Sequence, residues 1–458
     1  MALLLSRHQI SLGQLVRRGV KKMGFGFGPN DGQPDFEALL KQFSEMGVDA
    51  NTIAGAKSFL ENMQSPNEQN LITVAAIRET AKQIITAKGD LPIGQSDQQK
   101  LSESLKIANT WLDTEILFPA STLPTQSACS KRDWLDNTVS SWQHLFEPLA
   151  LGMADALSNV ISSTSSALPT EFMGSENNSP AQQEMMKTMF ARLLRGFMGS
   201  LIATQLGQGV GLLANSITGA NDVAIPLQNG AEVTHLIPQN IAQWSDGLGI
   251  DPEQVGIYLS LREAAAARLF ANNKWLSKYI QDVITAYGKG ISIDVESITR
   301  QAEEAMASGE IDINNPNAIN IALNSGLFTP QQTPAQELAL TKLEMALALI
   351  EGWIDHVISE VASERMPAFN ALIENSRRRR ATNSPMQQIF ATLLALEVSP
   401  RKMREASAFW SEVKQLRGTD GRDKCWQDAA FLPMPDDLKD VKAFLDSVTV
   451  PDDLSGLL

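Results

Sequence analysis

The chain has 458 residues, is 43% apolar and carries a net charge of −14. That is enough apolar material for a sizeable core and more than one folded unit. The negative charge disfavours nucleic acid and anionic membrane surfaces as partners. Cys129 and Cys425 stand alone, outside any C-x-x-C spacing, which excludes a cysteine zinc site and argues against a disulfide framework. Two lone thiols fit a reducing cytoplasm.

Residues 1–22 place a very short apolar run ahead of Arg17, Arg18, Lys21 and Lys22, the reverse of a secretory signal. They read as a non-native upstream extension or a flexible arm, with Met23 as the expected start. The glycine- and proline-punctuated residues 24–34 complete a flexible N-terminal segment, 1–34. Phe36, Leu39, Leu40, Phe43 and Met46 then fall at helical spacing, with Gly47 as C-cap. Helices follow over 71–87 and 98–116, the second capped by Ser96 or Asp97. Trp134, Trp142 and Phe146, at helical spacing within 131–151, are expected in a core. These elements make a helical region over 35–161. The Ser-, Thr-, Asn- and Pro-rich stretch 162–180 reads as a linker to a larger region, 181–458.

Residues 193–213 are the most membrane-like, but they hold Arg195, Gln205 and Gln208 where a span needs about 20 largely apolar residues. The spacing Gly207-x-Gly209-x-Gly211 instead suits a closely packed core helix. Two short extended segments, 223–227 and 232–237, flank Asn229-Gly230, a strong turn signal, and predict a small hairpin or sheet edge. A short helix over 240–248 precedes one capped by Asp251 with Pro252 at its first position, running to about 271. Helix is expected again over 293–308 and 334–365. A loop with a short helix is expected over 314–328. Helices over 385–395, 400–417 and 436–447 close the chain. The predicted class is mainly α with a small β element near 222–237.

Two of these helices carry the chemistry. One reads Leu261-Arg262-Glu263-Ala264-Ala265-Ala266, the other Glu351-Gly352-Trp353-Ile354-Asp355-His356. Zinc hydrolases place two histidines at i and i+4 so that both imidazoles reach one ion, with a glutamate between them as base. A third ligand can come from a Glu-x-x-x-Asp helix, whose aspartate orients a ligand histidine. Glu263 fits the base and Glu351 and Asp355 fit the second pattern, but Arg262 and Ala266 stand in the histidine places. Glu-x-x-x-Asp alone is a weak signal. His356 lies about 140° round the helix from Glu351 and faces elsewhere, as a histidine bonded at a helix surface. Val255, Leu259, Arg262, Ala266 and Phe270 share one stripe. A guanidinium there needs a carboxylate, with Glu351 and Glu263 the candidates, unless it snorkels to the surface.

The stretch 251–276 resembles an actinobacterial family of zincin-like, hydrolase-class proteins. Glu351-Gly352-Trp353-Ile354-Asp355-His356-Val357, Arg378-Arg379-Arg380-Ala381-Thr382, Gly421-Arg422-Asp423 and Leu432-Pro433 match it as well, as does the opening Gly24-Phe25-Gly26-Phe27-Gly28. The similarity spans about residues 23–445. The family is described as zinc-dependent metalloprotease-like, with some relatives linked by name to deazaflavin-cofactor biosynthesis. The resemblance implies a zincin-like helical core, Glu263 at the general-base place and Glu351 at the third-ligand place. Asp355 takes the place behind the ligands. Arg262 and Ala266 offer no lone pair to zinc, so the expected state is a vestigial site with no metal or other cofactor, in a protein that acts by binding a peptide or protein partner in its cleft. Two alternatives stand beside this: an active zinc hydrolase with a non-standard ligand set, and a helical scaffold.

Arg377–Arg380 reads as a solvated helix end complementing the C-terminal dipole. No Gly-x-Ser-x-Gly elbow and no Gly-x-x-x-x-Gly-Lys-Ser/Thr loop occurs, so serine-hydrolase and P-loop chemistry are unsupported. Gly24-x-Gly26-x-Gly28 follows no strand signal and is not a dinucleotide fingerprint.

Overall fold

A computed structural model describes residues 70–120, 127–163, 180–227, 234–292, 332–383, 385–394 and 400–447. Twelve α-helices and two 3-10 turns account for most of them. The helices are α1 (Val74–Lys88), α2 (Gln95–Leu112), α3 (Lys131–Ser163), α4 (Pro180–Ala214), α5 (Pro238–Ser245) and α6 (Pro252–Asn272). They continue with α7 (Trp275–Lys289), α8 (Pro334–Ala362), α9 (Phe369–Asn383), α10 (Pro385–Leu394), α11 (Pro400–Lys424) and α12 (Val441–Ser447). The expected leader over 24–34, the helix over 36–46, the helix over 293–308, the loop over 314–328 and the Asn229-Gly230 turn lie outside the described residues.

The chain forms two units of discontinuous sequence. The first takes Met1–Ala76, Phe146–Thr204 and Tyr287–Glu337; the second takes Ile77–Leu145, Gln205–Ala286 and Leu338–Leu458. In the first, the buried Glu147 carboxylate accepts the main-chain N–H groups of Leu71 and Ile72, the latter at 2.9 Å. Those donors have no intrahelical partner just ahead of α1, so the carboxylate satisfies them.

The second unit is built around α6. Asp251 caps it by accepting the Glu253 N–H at 2.9 Å, and Pro252 opens it. Every residue from Val255 to Phe270 is buried. A helix hydrophobic all round belongs in a core, and the small residues Ala264–Ala267 let neighbours approach on all sides. It packs along α2, with Gly256 against Ser104. Arg268 binds the Asn109 carbonyl at 3.0 Å and its Oδ1 at 2.8 Å, fastening the end of α2.

The glycine-spaced C-terminal half of α4 packs on α1, as its small residues predict. A Cβ at Gly207 would come within 2.7 Å of the Thr80 Cβ. Among the described residues no helix is long and apolar enough to cross a membrane. Trp134, Trp142 and Phe146 are fully buried.

Four expectations change. The cap of α2 is Gly94, whose N–H is bound by Asp97 at 3.2 Å; Ser96 is already inside the helix. Helix α3 runs to Ser163, past 151. Helix α11 continues beyond 417 across Gly418, which takes φ +69° and lets the chain bend. The β element shrinks to two isolated bridges at Leu236, one parallel to Ala128 and one antiparallel to Gly219. Residues 223–225 form a turn and bend and 226–227 are irregular, so no strand runs there.

Candidate functional site

Leu236 holds the site's floor. Its N–H and carbonyl bind the Ser127 carbonyl and the Cys129 N–H, both at 3.0 Å, while His235 and Ile237 bind Ala220 and Thr218 at 2.8 and 2.9 Å. This places Gly219, Asn221 and His235 over the middle of α6. Glu263 lies beneath them, 3% exposed. Its Oε2 accepts the Asn221 N–H at 2.9 Å, and its Oε1 accepts the Asn221 Nδ2 at 2.8 Å and the His235 N–H at 3.2 Å. A Cβ at residue 219 would stand 2.3 Å from Glu263 Oε2, so glycine is required there. Burial raises the Glu263 pKa to about 8, against the opposing pull of the three donated hydrogen bonds.

Its neighbour on α6, Arg262, faces about 100° further round the helix and points into a chain of alternating charges. Its Nη2 binds Glu351 Oε2 at 2.6 Å and its Nη1 binds Asp355 Oδ1 at 2.5 Å. The two carboxylates stand on one face of α8, as the i, i+4 spacing requires. Arg377 Nε binds the other oxygen of Asp355 at 3.0 Å. Arg380 binds Glu351 Oε2 and Asp222 Oδ1, each at 2.7 Å. Asp222 Oδ2 closes the series by accepting the Thr218 N–H and hydroxyl. Arg262 is 5% exposed, so it does not snorkel. Burial alone would lower its pKa, but Glu351 and then Asp355 hold it above the ordinary arginine value. Burial raises Glu351, with Arg262 opposing. Asp222 is likewise raised by burial and pulled back by Thr218.

Glu263, Arg262, Ala266 and Glu351 thus line one small cavity with Asp222 and Arg380. It has room for about one water molecule. Glu263 makes no ion pair with Arg262. His356 is outside this group: it is buried beside Arg422, Glu360 and Lys414, and burial with those cations lowers its pKa to about 4. Its Nε2 has no partner among the described residues. The expectation of a bonded surface histidine is therefore corrected. A neutral ring is cheaper to bury among guanidinium and ammonium groups than a charged one.

The arginine run is the second correction. Arg378 behaves as a solvated helix residue, pairing with Glu374 one turn away. Arg377 and Arg380 reach the buried carboxylates. Arg379 binds the Trp244 carbonyl at 2.8 Å and lies 5.2 Å from the centre of that indole. Four consecutive arginines cannot share one helix face, so the run divides by position round α9.

Gly421-Arg422-Asp423 is structural. The Arg422 guanidinium, fully buried, binds Asp423 at 2.8 Å and Glu115 at 3.0 Å, and Asp423 Oδ1 accepts the Trp353 indole N–H at 3.1 Å. Gly352 lets α8 meet α11, since a Cβ there would lie 2.7 Å from that of Ala406. So Gly352, Trp353 and His356 serve packing, while Glu351 faces the cavity and Asp355 holds Arg262 and Arg377 beside it. The residues missed from sequence are Asp222, Asn221, Thr218 and Gly219. They sit on an irregular segment, where no periodicity signals a facing side.

The donor set does not fit zinc. Such a site needs three protein ligands. The histidine places hold Arg262 and Ala266, and the one carboxylate at a ligand place has an oxygen engaged by two guanidiniums. Among the described residues no group of three or more His, Cys, Asp or Glu side chains is arranged to hold a metal ion.

A comparison with curated proteins gave no match. Among solved structures, the chain is similar to a protein from Chloroflexus aurantiacus described as a "putative hydrolase with a novel fold". The TM-score is 0.53 and the identity 17%, over 82% of this chain and 98% of that one. At that identity the likeness speaks for the fold. The sequence model of a family described as zincin-like metallopeptidase matches residues 72–445, a stretch that holds both key segments and the Gly-Arg-Asp anchor. The chain belongs to the zincin-like metallopeptidase family.

Proposed function

We propose that this chain is a degenerate zincin-like protein, in which guanidinium groups stand in for the metal, and that it acts by binding rather than by hydrolysis. The observation that carries this reading is the double engagement of Glu351 Oε2 by Arg262 and Arg380, at 2.6 and 2.7 Å. Two guanidiniums bring the charge of one divalent cation to the oxygen at the third-ligand place. Asp355, at the place that would orient a histidine, is spanned by Arg262 and Arg377. The cations satisfy carboxylates that would otherwise be buried unpaired at large cost.

Glu263 supports the same reading. A general base must reach a water that is poised for attack. Here both carboxylate oxygens hold the Asn221–His235 backbone, and the group serves as a structural acceptor.

The test restores the two imidazoles. The Arg262→His/Ala266→His variant should bind close to one zinc per chain, and the wild-type chain purified beside it should hold none. Stoichiometric zinc in the wild-type chain would overturn the reading in favour of an active hydrolase with another ligand set. No zinc in the folded double variant would show that α6 and α8 do not present a metal frame.

A further inference from the structure

Gly352, His356 and Glu360 fall at i, i+4 and i+8 on α8 and share one face. That face is turned to α11, and its two ends fix the register. A Cβ at Gly352 would lie 2.7 Å from that of Ala406. Glu360 Oε2 binds Lys414 Nζ at 2.6 Å. An advance from 352 to 360 on α8 thus matches one from 406 to 414 on α11, so the helices run parallel here and His356 lies against the middle of the stretch. The α11 side chains buried there are Phe409, Trp410 and Val413. None offers an acceptor, and the Trp410 indole N–H is itself given to the Leu349 carbonyl at 2.9 Å. His356 is 4% exposed, and its Nε2 has no partner among the described residues.

The charges around the ring are already matched. On α11, Lys414 is held by Glu360 and Glu115, each at 2.6 Å. Arg422 binds Glu115 at 3.0 Å and Asp423 at 2.8 Å. Glu360 comes from α8 itself and Glu115 from the segment after α2. Each of these carboxylates is therefore engaged by an ammonium or a guanidinium. A proton added to the ring would make a third cation beside Lys414 and Arg422, with a second N–H donor and no buried acceptor for it. Burial first, then Arg422 and Lys414, hold the group at about 4, against the pull of Glu360.

We infer that His356 is an acid-sensitive clasp: α8 and α11 close on the neutral ring, and its protonation opens the 406–414 stretch of α11 from α8. In the open form the ring meets water and takes up a proton at its ordinary affinity, so acid favours opening. Above pH 6.5 the ring is neutral in both forms and the clasp stays shut. As pH falls from there towards 4, the open form gains by at most about tenfold per pH unit. The clasp lies on a different face of α8 from Glu351 and Asp355, and it stands whether or not the old cleft binds a partner.

Hydrogen exchange of the full chain tests it, read at pH 7 and pH 4.5 and corrected for the intrinsic pH dependence of exchange. Wild-type protection over 406–414 should fall by about 50-fold between the two, given the shift from 6.5 to about 4. His356→Leu, which fills the place with an apolar group, should keep its protection there. If the leucine variant does not fold, His356→Gln, neutral and polar, gives the same comparison. Protection over 255–270 on α6 should not fall in either chain. Undiminished wild-type protection overturns the inference. So does an equal loss in wild type and variant, or a loss that spreads equally to α6. The ring also answers without any substitution: in histidine-labelled wild type its Cε1 proton should titrate near pH 4, and titration near 6.5 overturns the clasp.

Discussion

At the residue scale, two neighbours on α6 meet opposite fates. Arg262 sits in an apolar stripe of small and aliphatic residues, which made a carboxylate partner legible before any coordinates. Its truncation to Ala leaves Asp355 and Glu351 short of a cation in a buried place. The expected cost is about 3–5 kcal/mol, read as a lower urea midpoint at unchanged slope. Glu263 behaves differently, because it has donors but no cation. Its folded pKa, raised to about 8 by burial, lies above the unfolded value near 4.5. A carboxyl group raised on folding contributes stability that is fully present below about pH 4.5 and is lost as pH climbs through 8. Wild-type stability relative to Glu263→Gln should therefore decline across that window, by at most about 1.4 kcal/mol per pH unit. Urea titrations at pH 5, 6.5 and 8 check the slope. A flat difference would mean that Glu263 stays ionised throughout. The hydrogen bonds from Asn221 and His235 were not legible, since they come from backbone groups on a loop.

At the element scale, the helices of the second unit were readable wherever caps and apolar spacing agreed. Asp251-Pro252 fixed the start of α6, and the glycines of α4 marked a packed helix rather than a membrane one. Helix α9 shows where such reading stops. Its arginines look alike in sequence, and only their angular positions decide which reach the carboxylates of α8. That difference is measurable. Arg380→Ala removes a guanidinium shared by Glu351 and Asp222 and should cost more than 1.5 kcal/mol. Arg378→Ala removes an exposed i, i+4 pair and should cost no more than about 0.5 kcal/mol. Equal costs would mean that α9 does not reach the carboxylates. Gly352 makes a similar case for α8 against α11. A methyl group there meets Ala406, so Gly352→Ala should destabilise by about 1–3 kcal/mol through overpacking, although alanine is the better helix former. Differential scanning calorimetry would show it as a lowered melting temperature. A rise would mean that the two helices stand further apart.

At the scale of the whole molecule, mainly-α architecture followed from periodicity alone, and the family's motifs fell into distinct physical roles. Glu351 and Asp355 face the charge chain, Trp353 and Gly352 pack, and Arg422 with Asp423 anchors Glu115 and the Trp353 indole. A string of motif residues cannot display that sorting, because it depends on which side of each helix is turned inward. The assembly of each unit from separated stretches was equally hidden, since composition carries no record of long-range pairing. The electrostatic chain through Arg262, Glu351 and Asp355 joins α6 to α8. A double-mutant cycle of Arg262→Met and Glu351→Gln, followed by urea unfolding, measures it most directly. A coupling of about 2–3 kcal/mol is expected for groups in one buried network. Additivity of the two substitutions within about 0.5 kcal/mol would contradict it.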